Sequence, residues 1–70
     1  MELSSFEIFL TVVEEMNFTR AAQRLYITQQ SLSGHIKRLE DAYHVQLFRR
    51  RPTLRRTPEG EAMVVFSRQF

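Results

Sequence analysis

The chain has 70 residues, 43% of them hydrophobic, a formal net charge of +2, and neither cysteine nor tryptophan. That length holds one small domain with little stability in reserve and no disulfide to add any, which excludes a two-domain enzyme and argues against a cofactor cleft. No apolar run is long enough to span a membrane and no secretory leader pattern is present, while the lack of cysteine fits a reducing compartment.

The first predicted helix has a defined start. Ser4 is placed as N-cap with Glu7 three residues on, and Leu3 and Ile8 are spaced as a hydrophobic staple. Phe6, Leu10 and Val13, with Phe9 and Met16, repeat at helical spacing and form an apolar stripe, which Asn17 is expected to end. Phe18 leads into Thr19, read as the N-cap of a short second helix over 20–25. In that helix the Ala21-Ala22 pair lets another helix approach closely. Thr28 caps a third helix, with Ile27 and Leu32 as its staple and Leu32, Ile36, Leu39 and Tyr43 as its buried side.

After Tyr43 the period changes. Leu47-Phe48-Arg49 and Leu54-Arg55-Arg56 flank Arg50-Arg51-Pro52-Thr53, and Pro52 presets a turn, so a two-stranded hairpin with an arginine-rich tip is expected. Thr57 before Pro58 is an N-cap and first-position pair that opens a fourth helix, with Met63, Phe66 and Phe70 on one face. The sequence stops with that face still apolar, as expected of a piece of a longer protein whose fourth helix continues.

Charge is divided unevenly along this layout. Residues 1–17 carry net −4 and residues 18–70 net +6, and Arg49, Arg50, Arg51, Arg55 and Arg56 fall within eight residues that contain no acid. Such a split points to a face that meets a polyanion. A helix, a short helix, a tight turn, a long helix and a basic hairpin form the layout of a winged helix-turn-helix, whose third helix presents its polar side to a DNA major groove. At about 100° per residue, the side opposite Leu32, Ile36 and Leu39 shows Gln30, Ser33, Gly34, Lys37, Arg38 and Asp41, with Gln29 at the exposed first turn. Glutamine pairs bidentately with adenine, serine donates or accepts at base edges, and the helix N-terminus offers amides to a phosphate. Thr28 combines the cap with a backbone contact. Lys37, Arg38, Arg50, Arg51 and Thr53 are the other expected contacts to phosphate or minor groove.

Other chemistry is poorly served. His35 and His44 are nine apart with no partner ligand at a spacing that closes a metal site. No nucleophile with its base, no carboxylate pair and no phosphate-cradling glycine loop is visible, so neither an enzyme nor a cofactor is expected. The alternative is a protein-interaction module that keeps the helix-turn-helix shell and associates through Val65, Phe66 and Phe70.

Three segments carry a specific resemblance: NFTRAAQRLYITQQSLSGHIKRLE over 17–40, VQLFRRRP over 45–52 and TPEGE over 57–61. With their order and spacing, residues 1–60 resemble the DNA-binding domain of LysR-type transcriptional regulators. The resemblance implies a mainly α, winged helix-turn-helix fold: a three-helix core, a β-hairpin wing and the start of a linker or dimerisation helix. Residues 1–57 would form the DNA-binding domain, with the helix-turn-helix at about 18–37 and the wing at about 46–56, and 58–70 would begin the linker helix. It implies Gln29, Gln30, Ser33 and Gly34 facing bases of double-stranded DNA and the hairpin tip on phosphate or minor groove. It also implies a cytoplasmic, nucleoid-associated bacterial regulator that forms homodimers or tetramers. A small-molecule effector would act only through a C-terminal domain absent from this sequence. Gly34 departs from the family by lacking a long polar side chain, His44 by replacing the glycine that ends the third helix, and Arg56 by replacing an apolar hairpin residue.

Overall fold

A computed structural model describes residues 4–69. The order is α1 (Ser5–Glu15), α2 (Phe18–Arg24), α3 (Gln29–Tyr43), β1 (Phe48–Arg49), β2 (Arg55–Arg56) and α4 (Pro58–Ser67). This is the mainly α winged helix-turn-helix read from the sequence. The strands are antiparallel, with Phe48 opposite Arg56 and Arg49 opposite Arg55.

The helix starts follow local chemistry. Ser4 Oγ accepts the Glu7 N–H at 3.1 Å, Thr28 Oγ1 that of Ser31 at 3.0 Å and Thr57 Oγ1 that of Gly60 at 2.9 Å. Each satisfies a first-turn donor with no carbonyl four residues behind it. Leu3, the outer half of the proposed staple, lies outside the described residues; Ile8 is buried.

The junction between α1 and α2 corrects the expected caps. Met16, in the left-handed region at φ 46°, closes α1, and Asn17 caps α2 by accepting the Arg20 N–H at 2.9 Å. Asn17 therefore begins a helix instead of ending one, and Thr19 lies inside α2. Asparagine outranks threonine as a cap, and starting at Phe18 buries that ring against Phe48, with centroids 5.8 Å apart.

Phe9, Val12, Ala21, Leu32 and Leu47 are fully buried at the centre of the core. α1 buries more than a stripe: Ile8, Phe9, Thr11, Val12 and Val13 are all covered. It packs against α2, α3 and α4. Ala21 and Ala22 are both buried, as the close approach of α2 to α3 requires. Tyr43 departs from the predicted buried side of α3, being 45% exposed. It stands on the correct side of the helix, but the last turn outruns the core and meets the rings of Phe6 and Phe66, each 6.3 Å away between centroids.

The two glycines differ in kind. A Cβ on Gly34 would meet nothing within 4 Å. Gly34 lies mid-helix in α3, so Gly34→Ala is expected to raise stability by about 1 kcal/mol through helix propensity alone. Thermal melting checks this, and a lower midpoint would contradict the open space. Gly60 has the carbonyl of Leu47 pressed against it.

Candidate nucleic-acid interface

α3 is oriented by its two ends. At its start, the Ile27 N–H donates to the Ala22 carbonyl at 3.0 Å across the turn from α2, and Tyr26 takes a left-handed φ of 57°. At its end, His44 turns left-handed at φ 56°, and Glu40 Oε2 accepts the Leu47 N–H at 2.8 Å, tying α3 to the root of the wing. A branched or bulky residue in that region costs on the order of 1 kcal/mol.

Leu32, Ile36 and Leu39 hold α3 against the core. The opposite side is open: Gln29, Gln30, Gly34, Lys37 and Arg38 are exposed and Ser33 is half-buried. The carbonyl of Gly34 accepts from Arg38 Nε at 3.4 Å, so the arginine lies back along the helix beside the missing side chain. Lys37 reaches Asp41 at 3.6 Å, an exposed pair of the kind worth little.

The wing continues this surface. Arg51, Pro52 and Thr53 are exposed at its tip, while Leu54 packs on the core. Arg50 does not project with them. Its guanidinium lies 4.1 Å above the Phe18 ring and Nη2 is 3.5 Å from Ser33 Oγ, so it bridges wing, α2 and recognition face while staying exposed. A cation over a ring is worth about 0.5–1 kcal/mol at an exposed site.

The other arginines sort by partner. Arg56 pairs with Glu61 at 2.6 Å, while Glu40 accepts the Leu47 amide. Arg24 joins Glu14 at 2.6 Å and Glu15 at 3.3 Å, and the hydrogen bond to Glu14 holds its guanidinium above its already high ordinary pKa. Both acids at the end of α1 are thus engaged with Arg24. Arg20, Arg49 and Arg55 are exposed.

Two contacts lay beyond the sequence reading. Thr19 Oγ1 donates to Gln29 Oε1 at 3.2 Å, and Arg50 covers Phe18. Both join residues of different elements, so helical spacing carries no signal for them.

Beyond this face, α4 presents Val65, 64% exposed, and Phe66, 40% exposed, whose ring meets Phe6 at 5.7 Å. Phe70 lies outside the described residues. Tyr43, Val45, Met63 and Phe66 line an apolar cavity of about 310 Å³. Among the described residues no helix is long and apolar enough to cross a membrane.

A family model described as bacterial regulatory helix-turn-helix protein, lysR family, matches residues 3–61. The HTH-type transcriptional regulator CysL of Bacillus subtilis is 44% identical over 63 residues, covering 89% of this chain and 21% of CysL. BenM, an HTH-type transcriptional regulator of Acinetobacter baylyi, is 47% identical over 62 residues, 86% of this chain and 20% of its own length. The chain therefore spans about a fifth of these relatives. Among solved structures, the BenM_DBD/catB site 1 DNA complex superposes with a TM-score of 0.88 at 38% identity, over 99% of this chain and 79% of that one. A LysR-family transcriptional regulator from Eggerthella lenta gives a TM-score of 0.80 at 47% identity, over 84% and 86% of the two chains.

Proposed function

Because the chain belongs to the lysR family of bacterial regulatory helix-turn-helix proteins, we propose that it binds double-stranded DNA sequence-specifically, as the DNA-binding domain of a transcriptional regulator. The observation that carries this reading is one continuous neutral-to-basic surface. It runs from the exposed side of α3 through Arg50 to the wing tip, and the first acid along α3 on that side is Asp41, already paired with Lys37.

The residues divide by role. Gln29, Gln30 and Ser33 read base edges, and Gly34 leaves room for the groove wall to approach α3. Thr28, Lys37, Arg38, Arg50, Arg51 and Thr53 hold the backbone, Arg50 also fastening the wing to the recognition face. Residues 1–57 form this DNA-binding unit. Residues 58–70 begin the segment through which copies pair, with Val65, Phe66 and Phe70 as its contacts and a homodimer or tetramer as the product. The role is binding without catalysis, and it places the protein with the bacterial nucleoid in the cytoplasm. An effector would act on a separate domain.

Titrating isotopically labelled chain with a mixed-sequence duplex at low salt tests the surface. Amide shifts confined to about 28–38 and 49–53, reversed by salt, are expected, with dissociation constants of ~10⁻⁴–10⁻⁶ M for non-specific sites. Shifts only in α4 that track protein concentration would favour the protein-interaction module instead. Gln29→Ala should flatten discrimination between preferred and scrambled duplexes by about 1–3 kcal/mol and leave the salt dependence unchanged. Competition binding reads both, and equal losses on every sequence would remove Gln29 from the reading set.

A further inference from the structure

We propose that Thr19, on α2, is a positioning residue for base reading: its hydroxyl fixes the side-chain amide of Gln29 before DNA arrives. The inference builds on the DNA-binding reading above. Three observations support it. Asn17 already caps α2 through the Arg20 N–H, so the Thr19 hydroxyl is not the cap of its helix. That hydroxyl donates instead across the helix pair to Gln29 Oε1 at 3.2 Å. Thr19, Gln29 and Arg50 also share the wall of one open cleft of about 290 Å³, so both side chains sit at the edge of the groove-facing surface.

The chemistry suits the role. A β-branched side chain in a helix has few χ1 states, which makes threonine a stiff support. Glutamine is flexible and loses rotamer freedom when it is held against a base. The Thr19 bond takes one lone pair of Gln29 Oε1. The second lone pair and both Nε2 hydrogens stay free, which suffices to accept from adenine N6 and donate to N7. Ordering the reader in advance removes part of the entropy lost on binding. The bond from Arg50 to Ser33 repeats the arrangement one turn further along α3, so two readers are braced from outside the helix that carries them.

Thr19→Val removes the hydroxyl at nearly constant shape, and Thr19→Ser keeps it. In the free chain, the Gln29 side-chain amide resonances should move towards solvent-exposed glutamine values in Thr19→Val and hold near the wild type in Thr19→Ser. A duplex enriched by the wild-type chain from a random-sequence pool then serves as probe against a mixed-sequence duplex. Thr19→Val should reduce the preference about fivefold, because the ordering of one rotamer-rich side chain is returned to the binding step. Thr19→Ser should restore it, the salt dependence should not change, and Thr19→Val should add nothing in a Gln29→Ala background. Uniform loss on all duplexes with a shallower salt dependence would make Thr19 a phosphate contact and overturn the proposal, as would an unchanged preference or additive losses. A wild-type chain that enriches no sequence would overturn the DNA-binding reading itself, and this inference with it.

Discussion

Gly60→Ala should remove about half or more of the domain's stability, about 2–4 kcal/mol. A Cβ at this position would lie 2.2 Å from the carbonyl oxygen of Leu47 and 3.2 Å from its carbon. These are backbone atoms, so no rotamer change relieves the overlap; either α4 or the root of the wing has to move. The same carbonyl accepts the Thr57 N–H at 3.0 Å. The Thr57 hydroxyl, buried, donates to the Gln46 carbonyl and accepts the Gly60 N–H. Moving α4 outward therefore breaks a buried polar cluster as well as the packing of Met63 and Val64. Overpacking alone costs about 1–3 kcal/mol and losing a buried hydrogen bond about 1 kcal/mol more. A domain of this size has on the order of 5 kcal/mol in all. Urea unfolding followed by circular dichroism measures the change. A loss below about 1 kcal/mol would mean that the contact between α4 and the wing root is loose. Gly34→Ala is the internal comparison: the same substitution, also within a helix, with the opposite expected sign because nothing faces it.

Reversing charge at Arg50 and Arg51 together should weaken binding to every duplex by about a hundredfold or more at low salt, since each charge-assisted contact is worth about 1.5–3 kcal/mol. Removing two phosphate contacts should also make the slope of log K against log salt shallower by about two. The two positions should separate on closer inspection. Arg51 is exposed at the tip, so Arg51→Gln should lower affinity uniformly. Arg50 also covers Phe18 and touches Ser33, so Arg50→Gln should reduce sequence preference in addition. Arg56, already paired with Glu61, supplies the control: Arg56→Gln should change binding little. Fluorescence anisotropy at several salt concentrations reads all of these. A double charge reversal that leaves the salt slope intact would take the wing off the DNA.

Contacts within a few residues were legible before the fold was seen. Ser4, Thr28 and Thr57 cap their helices because the cap bond spans only three residues. The wing followed from Pro52 between two short apolar-basic runs, and Leu32, Ile36 and Leu39 from helical periodicity. Asn17 was ambiguous, since asparagine both ends and begins helices, and the burial of Phe18 against Phe48 decides between the two. Tyr43 was placed on the correct side but at the wrong depth, because periodicity gives direction and not how far the core extends. At the interface, sequence identified which residues point outward and missed what steadies them. Thr19 meets Gln29 ten positions away, and Arg50 meets Ser33 seventeen away. Such pairs exist only once α2, α3 and the wing have been brought together.

Met16, Tyr26 and His44 turn the chain at the end of α1, within the turn before α3 and at the end of α3, all in the left-handed region and none of them glycine. A short peptide with these residues at its corners would straighten or turn elsewhere, because their side chains disfavour that geometry. The bends are held by what they join, the buried core to which Phe9, Leu32 and Leu47 belong. The reading head is therefore not a detachable cassette. Its angle belongs to the whole chain, and anything that loosens the centre will blunt recognition before any residue that touches DNA has changed.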